Sequence, residues 1–298
     1  MRPLKQGLFF YDNHVFVRNG ICYYRVDIPA DIKHTLSTMR SGMLTVSVPC
    51  YFIGAYRMIS IVIPAYNEEI RLPQYLDRIL SYLGQKKLTY EVLVVDDGSA
   101  DSTAEIVERF MEQDSNVKLI RLPLNRGKGF AVKTGMLQSC GRLRLFTDAD
   151  GATPIEELER LEKTIKSGAD VAIASRALHS DSCSVIAHLH RKVIGTVFNF
   201  IVRILTVRGI KDTQCGFKLF TAESASAVFP LQQIEGFGFD VEILFIASMK
   251  GFRISEVPVN WSDVKGTKVR LIRDSIKMLF DVISIRLHAL RGKYVLFF

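Results

Sequence analysis

From residue 59 onward, short apolar runs alternate with segments of helical periodicity. The runs are ISIVIPA (59–65), YEVLVVDD (90–97), VKLIRL (117–122), RLRLFTD (142–148) and ADVAIASR (169–176), and their β-branched and aliphatic content predicts buried strands. Helical spacing follows at 71–83, 102–111, from the turn at 125–129 to about 139, and at 154–166. Strands that alternate with helices predict an α/β fold with a mostly parallel sheet flanked by helices and right-handed crossovers.

Residues 1–57 do not follow this alternation. They contain two strand-like runs, HVFVRN and ICYYRVDIP. We expect three parts: an appended N-terminal segment at 1–57 without a role in catalysis, a catalytic domain at 58–264, and a basic amphipathic C-terminal helix at 265–298.

Polar clusters stand where four of the predicted strands end. They are Asn67-Glu68-Glu69, Asp96-Asp97, Asp148 with Asp150, and Ser175-Arg176. In open parallel sheets, ligands bind beyond the carboxyl ends of the strands. The pattern therefore predicts a binding site at this edge.

The pair Asp148 and Asp150 lies one residue apart after the fourth strand. Two adjacent carboxylates repel each other unless a cation joins them, and carboxylate oxygens suit Mg²⁺ or Mn²⁺, which bridge phosphate oxygens. The alternative is a turn in which one Asp caps backbone N–H groups. With the neighbouring motifs, we expect the metal site.

Two further strand ends suit a nucleoside. In PAYNEE (64–69) and DDGS (96–99), a carboxylate could accept hydrogen bonds from a ribose or a base edge. The alternatives are local, because Ser99 and Asp101 could cap the next helix and Glu68 and Glu69 could be first-turn acids favoured by the helix dipole.

The turn NRGKG (125–129) pairs glycines with cations ahead of a helix. Its backbone N–H groups and the helix N-terminus can form an anion site, to which Lys128 adds charge. It matches neither GxxxxGK[ST] nor GxGxxG, and a plain basic turn is the alternative.

Together, PAYNEE, DDGS, NRGKG, DADG and DTQCGFKLF (212–220) resemble glycosyltransferase family 2. Within it, NEEIRLPQYLD, FDVE and ISEVPVNW are most similar to the dolichyl-phosphate β-glucosyltransferase group, with dolichyl-phosphate mannose synthases next. The resemblance covers about 59–285. It implies a GT-A fold, an inverting reaction, UDP-glucose as donor, and dolichyl or another polyprenyl phosphate as acceptor.

The resemblance also implies roles for single residues. Pro64, Tyr66, Glu68 and Asp97 would hold the uridine end, and Asp148 and Asp150 the metal and diphosphate. Arg126, Gly127, Lys128, Arg176, Lys218 and Lys268 in the loop KGTKVR (265–270) would gather the phosphates. Asp240 and Glu242 in GFGFDVE would orient the acceptor or support the site; the alternative is that they are ordinary acids at a helix start.

A lipid acceptor requires access to a membrane surface. Residues 185–209 are apolar with interspersed cations, and 269–290 carry one apolar stripe at 269, 272, 276, 279, 283, 287 and 290. Both patterns are typical of interfacial helices, although the second could instead pack on the core. We expect a peripheral enzyme at the cytoplasmic face of a membrane. Nucleic acid binding is disfavoured, because the cations flank aliphatic faces without an aromatic stacking platform.

Three other functions are considered from the sequence. A GDP-mannose-dependent polyprenyl-phosphate mannosyltransferase would share the fold, and an inactive sugar-nucleotide-binding module would keep part of the site. The intact DADG disfavours the inactive module. A processive polysaccharide synthase of this family would carry QxxRW, which this chain lacks.

Overall fold

A computed structural model describes residues 58–178, 180, 183–186, 209–264 and 271–294, with side chains from 277 in the last range, and the backbone of three strands before residue 50. The chain forms two compact units, Met1–Gly54 and Ala55–Phe298. The predicted helix at 185–209 and the loop at 265–270, including Lys268, lie mainly or wholly outside the described residues.

The first unit contains a three-stranded antiparallel sheet. Its strands are β1 (Val15–Arg18), β2 (Ile21–Val26) and β3 (Leu44–Val48), in spatial order β1-β2-β3. The first two strands confirm the two strand-like runs. The third has the alternating pattern LTVSV, a period of two that predicts a half-buried strand and that the sequence analysis overlooked.

The second unit is built on a seven-stranded sheet of order β11-β8-β10-β7-β4-β5-β6. Its strands are β4 (Ile59–Ala65), β5 (Tyr90–Asp96), β6 (Val117–Arg121), β7 (Leu143–Thr147), β8 (Val171–Ser175), β10 (Phe217–Thr221) and β11 (Ile254–Pro258). Only β10 among these runs antiparallel to its neighbours, β7 and β8. Two short strands, β9 (Val185–Ile186) and β12 (Trp261–Ser262), pair separately.

Seven helices are described in the second unit. They are α1 (Leu72–Gln85), α2 (Thr103–Gln113), α3 (Lys128–Gln138), α4 (Leu158–Lys166), α5 (Ala222–Val228), α6 (Phe239–Met249) and α7 (Leu271–Leu290). The five predicted strands and the helices between them are confirmed to within a few residues. The mixed sheet flanked by helices confirms the predicted fold class.

The sheet is covered on both faces because its strands alternate between two apolar cores. In β4, Val62 belongs to the core that includes α3, α6 and α7, whereas Ile61 and Ile63 belong to the core that includes α1 and α4. Strands buried on both faces read as continuous apolar runs, as the sequence does. The helices thus occupy both faces, and the polar clusters collect at the strand ends.

Helix α7 has two apolar faces. Val282 and Ile285 are fully buried against the core. A second row points outward: Phe280, Ile283, Leu287 and Leu290 are 65, 46, 43 and 84% exposed. The predicted apolar stripe therefore faces outward at 283, 287 and 290. The residues that pack against the core, Val282 and Ile285, lie outside that stripe. Within the described part of the chain, no helix is long and apolar enough to cross a membrane.

Candidate active site

The four polar clusters lie along one edge of the large sheet. Strand β4 is parallel to β5 and β7, and the antiparallel β10 connects β7 to β8 so that β8 points the same way. The carboxyl ends of β4, β5, β7 and β8 therefore share an edge. Strand β10 begins at this edge, where the Asp148 N–H donates to the Gly216 carbonyl at 3.0 Å.

The acidic pair lies at the centre of this edge and meets two cations. The Lys128 ammonium is 2.5 Å from Asp148 Oδ1, and the Arg71 guanidinium is 3.7 Å from Asp150 Oδ2. Asp150 also accepts the Ala152 N–H at 3.1 Å. Both carboxylates keep an exposed fraction, 35% for Asp148 and 27% for Asp150. They are thus partly neutralised and still reachable from the cleft.

Around the acidic pair, the negative charges are not fully balanced by the neighbouring cations. Burial and the neighbouring Asp148 carboxylate raise the pKa of Asp150. Burial alone would lower the pKa of Lys128, but Asp148, Asp240 and Asp150 outweigh it and raise that pKa. The Arg71 charge is shared, because this guanidinium also binds Glu68. The acidic pair therefore still lacks positive charge.

The position opposite the acidic pair is occupied by Gly216, where there is no space for a side chain. A Cβ added there would lie far inside van der Waals contact with the Asp148 carboxylate. Gly151 has φ +66°, and a Cβ added there would lie 2.8 Å from the Tyr75 ring. The buried Tyr75 hydroxyl in turn hydrogen-bonds Thr147 Oγ1 at 2.9 Å. These contacts fix the turn that carries the carboxylates.

The residues at this edge fit a divalent cation, although they do not form a complete metal site by themselves. Among the described residues, no group of three or more His, Cys, Asp or Glu side chains could hold a metal. Mg²⁺ and Mn²⁺ sites for nucleotides commonly use one or two carboxylates, with phosphates and water completing the shell. Two partly exposed carboxylates with a deficit of positive charge match that description.

The loops after β4 and β5 are joined to each other. The Asn67 N–H donates to Ser99 Oγ at 2.8 Å, and the Asn67 side-chain oxygen accepts the Ala100 N–H at 2.8 Å. Asn67 has φ +52°, a conformation that Asn tolerates better than most residues. Pro64 is buried in β4, whereas Tyr66 is 39% exposed. The two loops are thus joined by hydrogen bonds into one rim, from which the Tyr66 ring is partly exposed.

Glu68 forms an ion pair with Arg71, a residue for which the sequence predicted no role in the site. Its two oxygens bind Arg71 Nε at 2.8 Å and Nη2 at 2.5 Å. This pair positions Arg71 towards Asp150. The sequence signal was present, since a cation three residues after an acid at a helix start predicts an ion pair.

Asp97 holds the glycine-rich turn. Its carboxylate accepts the N–H groups of Arg126 at 2.8 Å and Gly127 at 2.7 Å. Burial raises the pKa of Asp97, although these two hydrogen bonds oppose the change. Gly127 has φ +111°, and a Cβ there would lie 2.6 Å from the Glu235 carbonyl oxygen. The turn is therefore fixed from both sides, and Lys128 follows it as the first residue of α3.

Arg126 points away from the acidic pair. Its guanidinium forms an ion pair with Glu235 and stacks 3.5 Å from the centre of the Phe130 ring. The side chain is 47% exposed. Its backbone N–H, bound to Asp97, is the part of Arg126 that shapes the turn.

Lys218 and Asp240 lie beneath the site, which differs from the phosphate-binding position predicted for Lys218. Lys218 is fully buried, and its ammonium binds Asp240 and the Cys215 carbonyl, the latter at 2.7 Å. Burial raises the pKa of Asp240, against the effect of Lys218 and Lys128. The Lys218 ammonium is enclosed in the core and its hydrogen bonds go to Asp240 and the Cys215 carbonyl, so in this conformation it does not face the cleft. The pair instead supports Lys128 and Asp148 from below.

Arg176 is held by a carboxylate at the end of β8. Its Nε and Nη2 bind the two oxygens of Asp212 at 2.7 and 2.9 Å, and its guanidinium lies 5.4 Å from the Trp261 ring centre. Arg176 keeps 32% of its side chain exposed, while Asp212 is buried. The guanidinium is thus positioned with one part open to the cleft.

Glu242 is a structural acid. Its carboxylate accepts the N–H of Gln233 and, at 2.8 Å, the N–H of Ile234, together with the Tyr294 hydroxyl at 2.7 Å. Burial raises its pKa despite these three donors. Glu242 therefore connects the end of the chain to the loop before α6, and it does not face the cleft.

Comparison with known proteins identifies the family. The model of the family "Glycosyl transferase family 2" matches residues 60–229. A dolichyl-phosphate beta-glucosyltransferase of Dictyostelium discoideum is 43% identical over 246 residues, which are 78% of this chain and 75% of the relative. The Homo sapiens protein of the same name is 39% identical over 262 residues, 83% and 81% of the two chains.

A solved structure shares the fold. The glucosyl-3-phosphoglycerate synthase of Mycobacterium tuberculosis, in complex with Mn²⁺, UDP-glucose and phosphoglyceric acid, aligns with a TM-score of 0.59 at 18% identity. The alignment covers 78% of this chain and 80% of that one. With the family match and the curated relatives, the mixed sheet and its acidic edge lead to one conclusion: this chain is a glycosyltransferase with the GT-A fold and belongs to glycosyltransferase family 2.

Proposed function

We propose that the chain transfers glucose from UDP-glucose to the phosphate of dolichol or another polyprenol, with inversion at the anomeric carbon. The observation that carries this proposal is the partly neutralised pair Asp148 and Asp150 beside Lys128 and Arg71 at the carboxyl edge of the sheet. The names of the curated relatives support the acceptor class and the sugar. The M. tuberculosis complex supports UDP-glucose and Mn²⁺ as ligands of this fold.

The reaction is a displacement at the anomeric carbon. A phosphate oxygen of the acceptor forms a bond to that carbon, the bond to the diphosphate oxygen breaks, and UDP leaves with the electron pair. A phosphate monoester has a second pKa of about 6 and is largely a dianion at pH 7. The nucleophile therefore needs little help from a general base. Attack from the opposite side converts the α-linked donor to a β-linked product.

The main barrier is electrostatic, because the acceptor phosphate and the donor diphosphate meet in one cleft. At an effective dielectric constant of about 20, two charges 4 Å apart repel by roughly 4 kcal/mol. A divalent cation held by Asp148 and Asp150 would neutralise the diphosphate and stabilise the UDP leaving group. Lys128 lies next to Asp148, and in this proposal its ammonium would pair with a diphosphate oxygen once the cation takes its place at that carboxylate.

The other residues have separate tasks in this proposal. Tyr66, on the rim formed by the two loops, offers its ring to the uracil. Asp97 acts through the turn at 125–129, whose shape it fixes. Arg176 offers its exposed portion to the acceptor phosphate. Lys268, in the loop at 265–270, stays a predicted phosphate ligand.

The test is a donor panel with the purified chain. Labelled UDP-glucose, GDP-mannose and UDP-N-acetylglucosamine are each incubated with a polyprenyl phosphate in detergent and Mn²⁺, and lipid-linked sugar is counted. We expect turnover of UDP-glucose and a β-linked product by NMR. Turnover of GDP-mannose alone would contradict the donor, and binding of nucleotides without turnover of any donor would indicate a binding module.

The N-terminal unit is proposed to have no catalytic role, because every residue placed in the site lies beyond residue 58. A chain that begins at Met58 is expected to keep the transfer rate within about twofold. A much larger loss in a protein that remains folded would show that residues 1–57 contribute to the site.

A further inference from the structure

The Arg176 guanidinium is held by a carboxylate and by an aromatic ring. Its Nε and Nη2 donate to the two oxygens of Asp212 at 2.7 and 2.9 Å, and its backbone N–H donates to the same carboxylate at 2.9 Å. The central carbon of the guanidinium lies 5.4 Å from the ring centre of Trp261. Among the described residues, these contacts hold the side chain and leave Nη1 for a ligand, and part of the side chain is exposed.

Trp261 is the single tryptophan of the chain, and its own position is fixed. The side chain packs against the core that includes α1 and α4. An indole is the side-chain ring that attracts a cation most strongly, and arginine is the cation that most often lies over such a ring. The ring therefore attracts the Arg176 guanidinium independently of the hydrogen bonds to Asp212.

The strand that carries Trp261 is also joined to the turn of the acidic pair. This strand, β12, pairs with β9. Its second residue, Ser262, donates its N–H to the Ala152 carbonyl at 3.0 Å, and Ala152 donates its own N–H to Asp150 at 3.1 Å. One short strand thus connects the indole beside Arg176 to the residue that holds Asp150.

These connections set the spacing between two anion-binding parts of the cleft. In the proposed function, the acidic pair and its cation receive the donor diphosphate, and Arg176 receives the acceptor phosphate. The anomeric carbon must lie between them, because the attacking and leaving oxygens are on opposite sides of it. A misplacement of about 1 Å in such an arrangement can reduce a rate about 100-fold. A residue that fixes this spacing therefore contributes to transfer without contact with the reacting atoms.

We propose that Trp261 is a positioning residue, whose ring holds the Arg176 guanidinium so that Nη1 faces the acceptor phosphate at a fixed distance from the acidic pair. The inference rests on the proposed function for the identity of the acceptor, a prenyl monophosphate. Binding of that phosphate is measured without sugar transfer.

The first experiment uses the fluorescence of the single tryptophan in the full chain. Indole emission responds to charge that is neutralised close to the ring. We expect a saturable change in emission when a short-chain, water-soluble prenyl monophosphate is added, and loss of that change in Arg176→Met. Unchanged emission at concentrations at which equilibrium dialysis shows the probe bound, or an equal response in Arg176→Met, would overturn the proposal.

The second experiment compares Trp261→Ala with Trp261→Phe. Removal of the ring should raise the KM for the prenyl phosphate about tenfold and leave the KM for UDP-glucose within about twofold of the wild type. Trp261→Phe keeps an aromatic face and should bring the acceptor KM back to within about threefold. The control is Phe110→Ala, which removes another partly buried ring that packs against the same core from α2. Both KM values should stay unchanged in this control.

Coupling between the two residues separates positioning from packing. If Trp261 acts through Arg176, Trp261→Ala should have no further effect on the acceptor KM in an Arg176→Met background. Additive effects in the double variant, or equal rises of both KM values in Trp261→Ala, would show that the tryptophan only supports the fold. If Trp261→Ala does not fold, the fluorescence titrations of the wild type and Arg176→Met decide the proposal without it.

A transfer assay separates this inference from the proposed function. Binding of the prenyl phosphate that depends on Trp261 and Arg176, with turnover of no sugar nucleotide, would refute the proposed function and leave the positioning role standing. Transfer from UDP-glucose with a normal acceptor KM in Trp261→Ala would do the reverse.

Discussion

The carboxylates at the two edges of the seven-stranded sheet have different surroundings: Glu91 at the amino edge is buried, whereas Asp148 and Asp150 at the carboxyl edge are partly exposed. At the amino edge, Glu91 accepts hydrogen bonds from Ser60 Oγ and the Cys140 N–H, both at 2.6 Å, and pairs with Lys118 at 2.8 Å. Ser60 Oγ accepts the Gly141 N–H in turn. At the carboxyl edge, Asp148 and Asp150 share two cations, one of which is also bound to Glu68.

This difference separates structural from functional carboxylates. A buried carboxylate with a full set of donors stabilises the fold, and replacing it by an amide makes one of those donors face an NH2 group instead of an acceptor. A carboxylate whose pKa is raised by burial and a like charge is under-neutralised in the folded protein. Such a group is suited to receive a cation that arrives with a substrate.

The largest expected effect comes from isosteric neutralisation at each edge. Asp150→Asn should lower sugar transfer by about 10³-fold or more, because it removes a metal ligand, a loss of about 4 kcal/mol in transition-state stabilisation. The melting temperature without metal should be unchanged or higher, since a raised pKa means that the charged form costs stability. Glu91→Gln should do the opposite: about 2 kcal/mol of unfolding free energy is lost, while folded protein keeps its turnover.

Initial-rate and urea-unfolding measurements on both variants test whether one loses activity and the other loses stability. Loss of activity in both variants, or loss of stability in both, would show that the two edges do not differ in the way described.

The second prediction concerns the closed pair beneath the open edge. Lys218→Met leaves the Asp240 carboxylate buried without its partner, and we expect a loss of about 3 kcal/mol in unfolding free energy. The double variant Lys218→Met with Asp240→Leu should recover most of that loss, because both charges are gone. A double-mutant cycle from urea unfolding measures the coupling. If the losses of unfolding free energy in the two single variants simply add up in the double variant, Lys218 and Asp240 do not interact as a buried ion pair.

A third prediction addresses the space opposite the acidic pair. Gly216→Ala should reduce transfer about 100-fold, because the new methyl group must displace the Asp148 carboxylate. The matched control is Gly84→Ala in α1, where an added Cβ meets nothing within 4 Å. That control should keep its activity and gain up to about 1 kcal/mol of stability from the better helix former. Normal kinetics in Gly216→Ala would show that the Asp148 position is not critical.

The smallest effect is expected at Arg176, where an ion pair links the edge to a buried acid. Burial would raise the pKa of Asp212, but Arg176 outweighs it and the pKa is lowered. A lowered pKa gives stability that is present above the unfolded value, near 3.9, and is lost as the pH falls through the folded value. Asp212→Asn should cost about 2 kcal/mol at pH 7. The gap from wild type should narrow as the pH falls below the unfolded value in urea titrations, and a gap that stays constant there would contradict the charge origin.

The sequence predicted the sheet and its functional edge because these depend on local patterns. Strands buried on both faces are continuous apolar runs; β5, β7 and β8 end in polar residues, and β4 is followed two residues later by Asn67. Parallel strands bring such ends together whatever their order in space. The edge could therefore be predicted without knowing that β10 lies between β7 and β8.

The partners of individual side chains could not be predicted in the same way. Lys218 was a candidate phosphate ligand by residue type, yet strand direction and register bury it opposite Phe146 and Ile173. Asp97 was expected to face the nucleotide, and its oxygens instead accept N–H groups from a turn about thirty residues later. These facts depend on long-range packing, on which the residue types carry no information.

The central claim is that Asp148 and Asp150 receive a divalent cation together with the donor diphosphate. The most direct measurement is the melting temperature of the wild type and of Asp150→Asn with Mn²⁺, with UDP-glucose, and with both. At ligand concentrations near 100 times the dissociation constant, the wild type should gain about 2.7 kcal/mol, or roughly 5 °C or more, with both ligands. It should gain much less with either alone, and the variant should show no added gain from Mn²⁺. An equal joint gain in wild type and variant would contradict the claim.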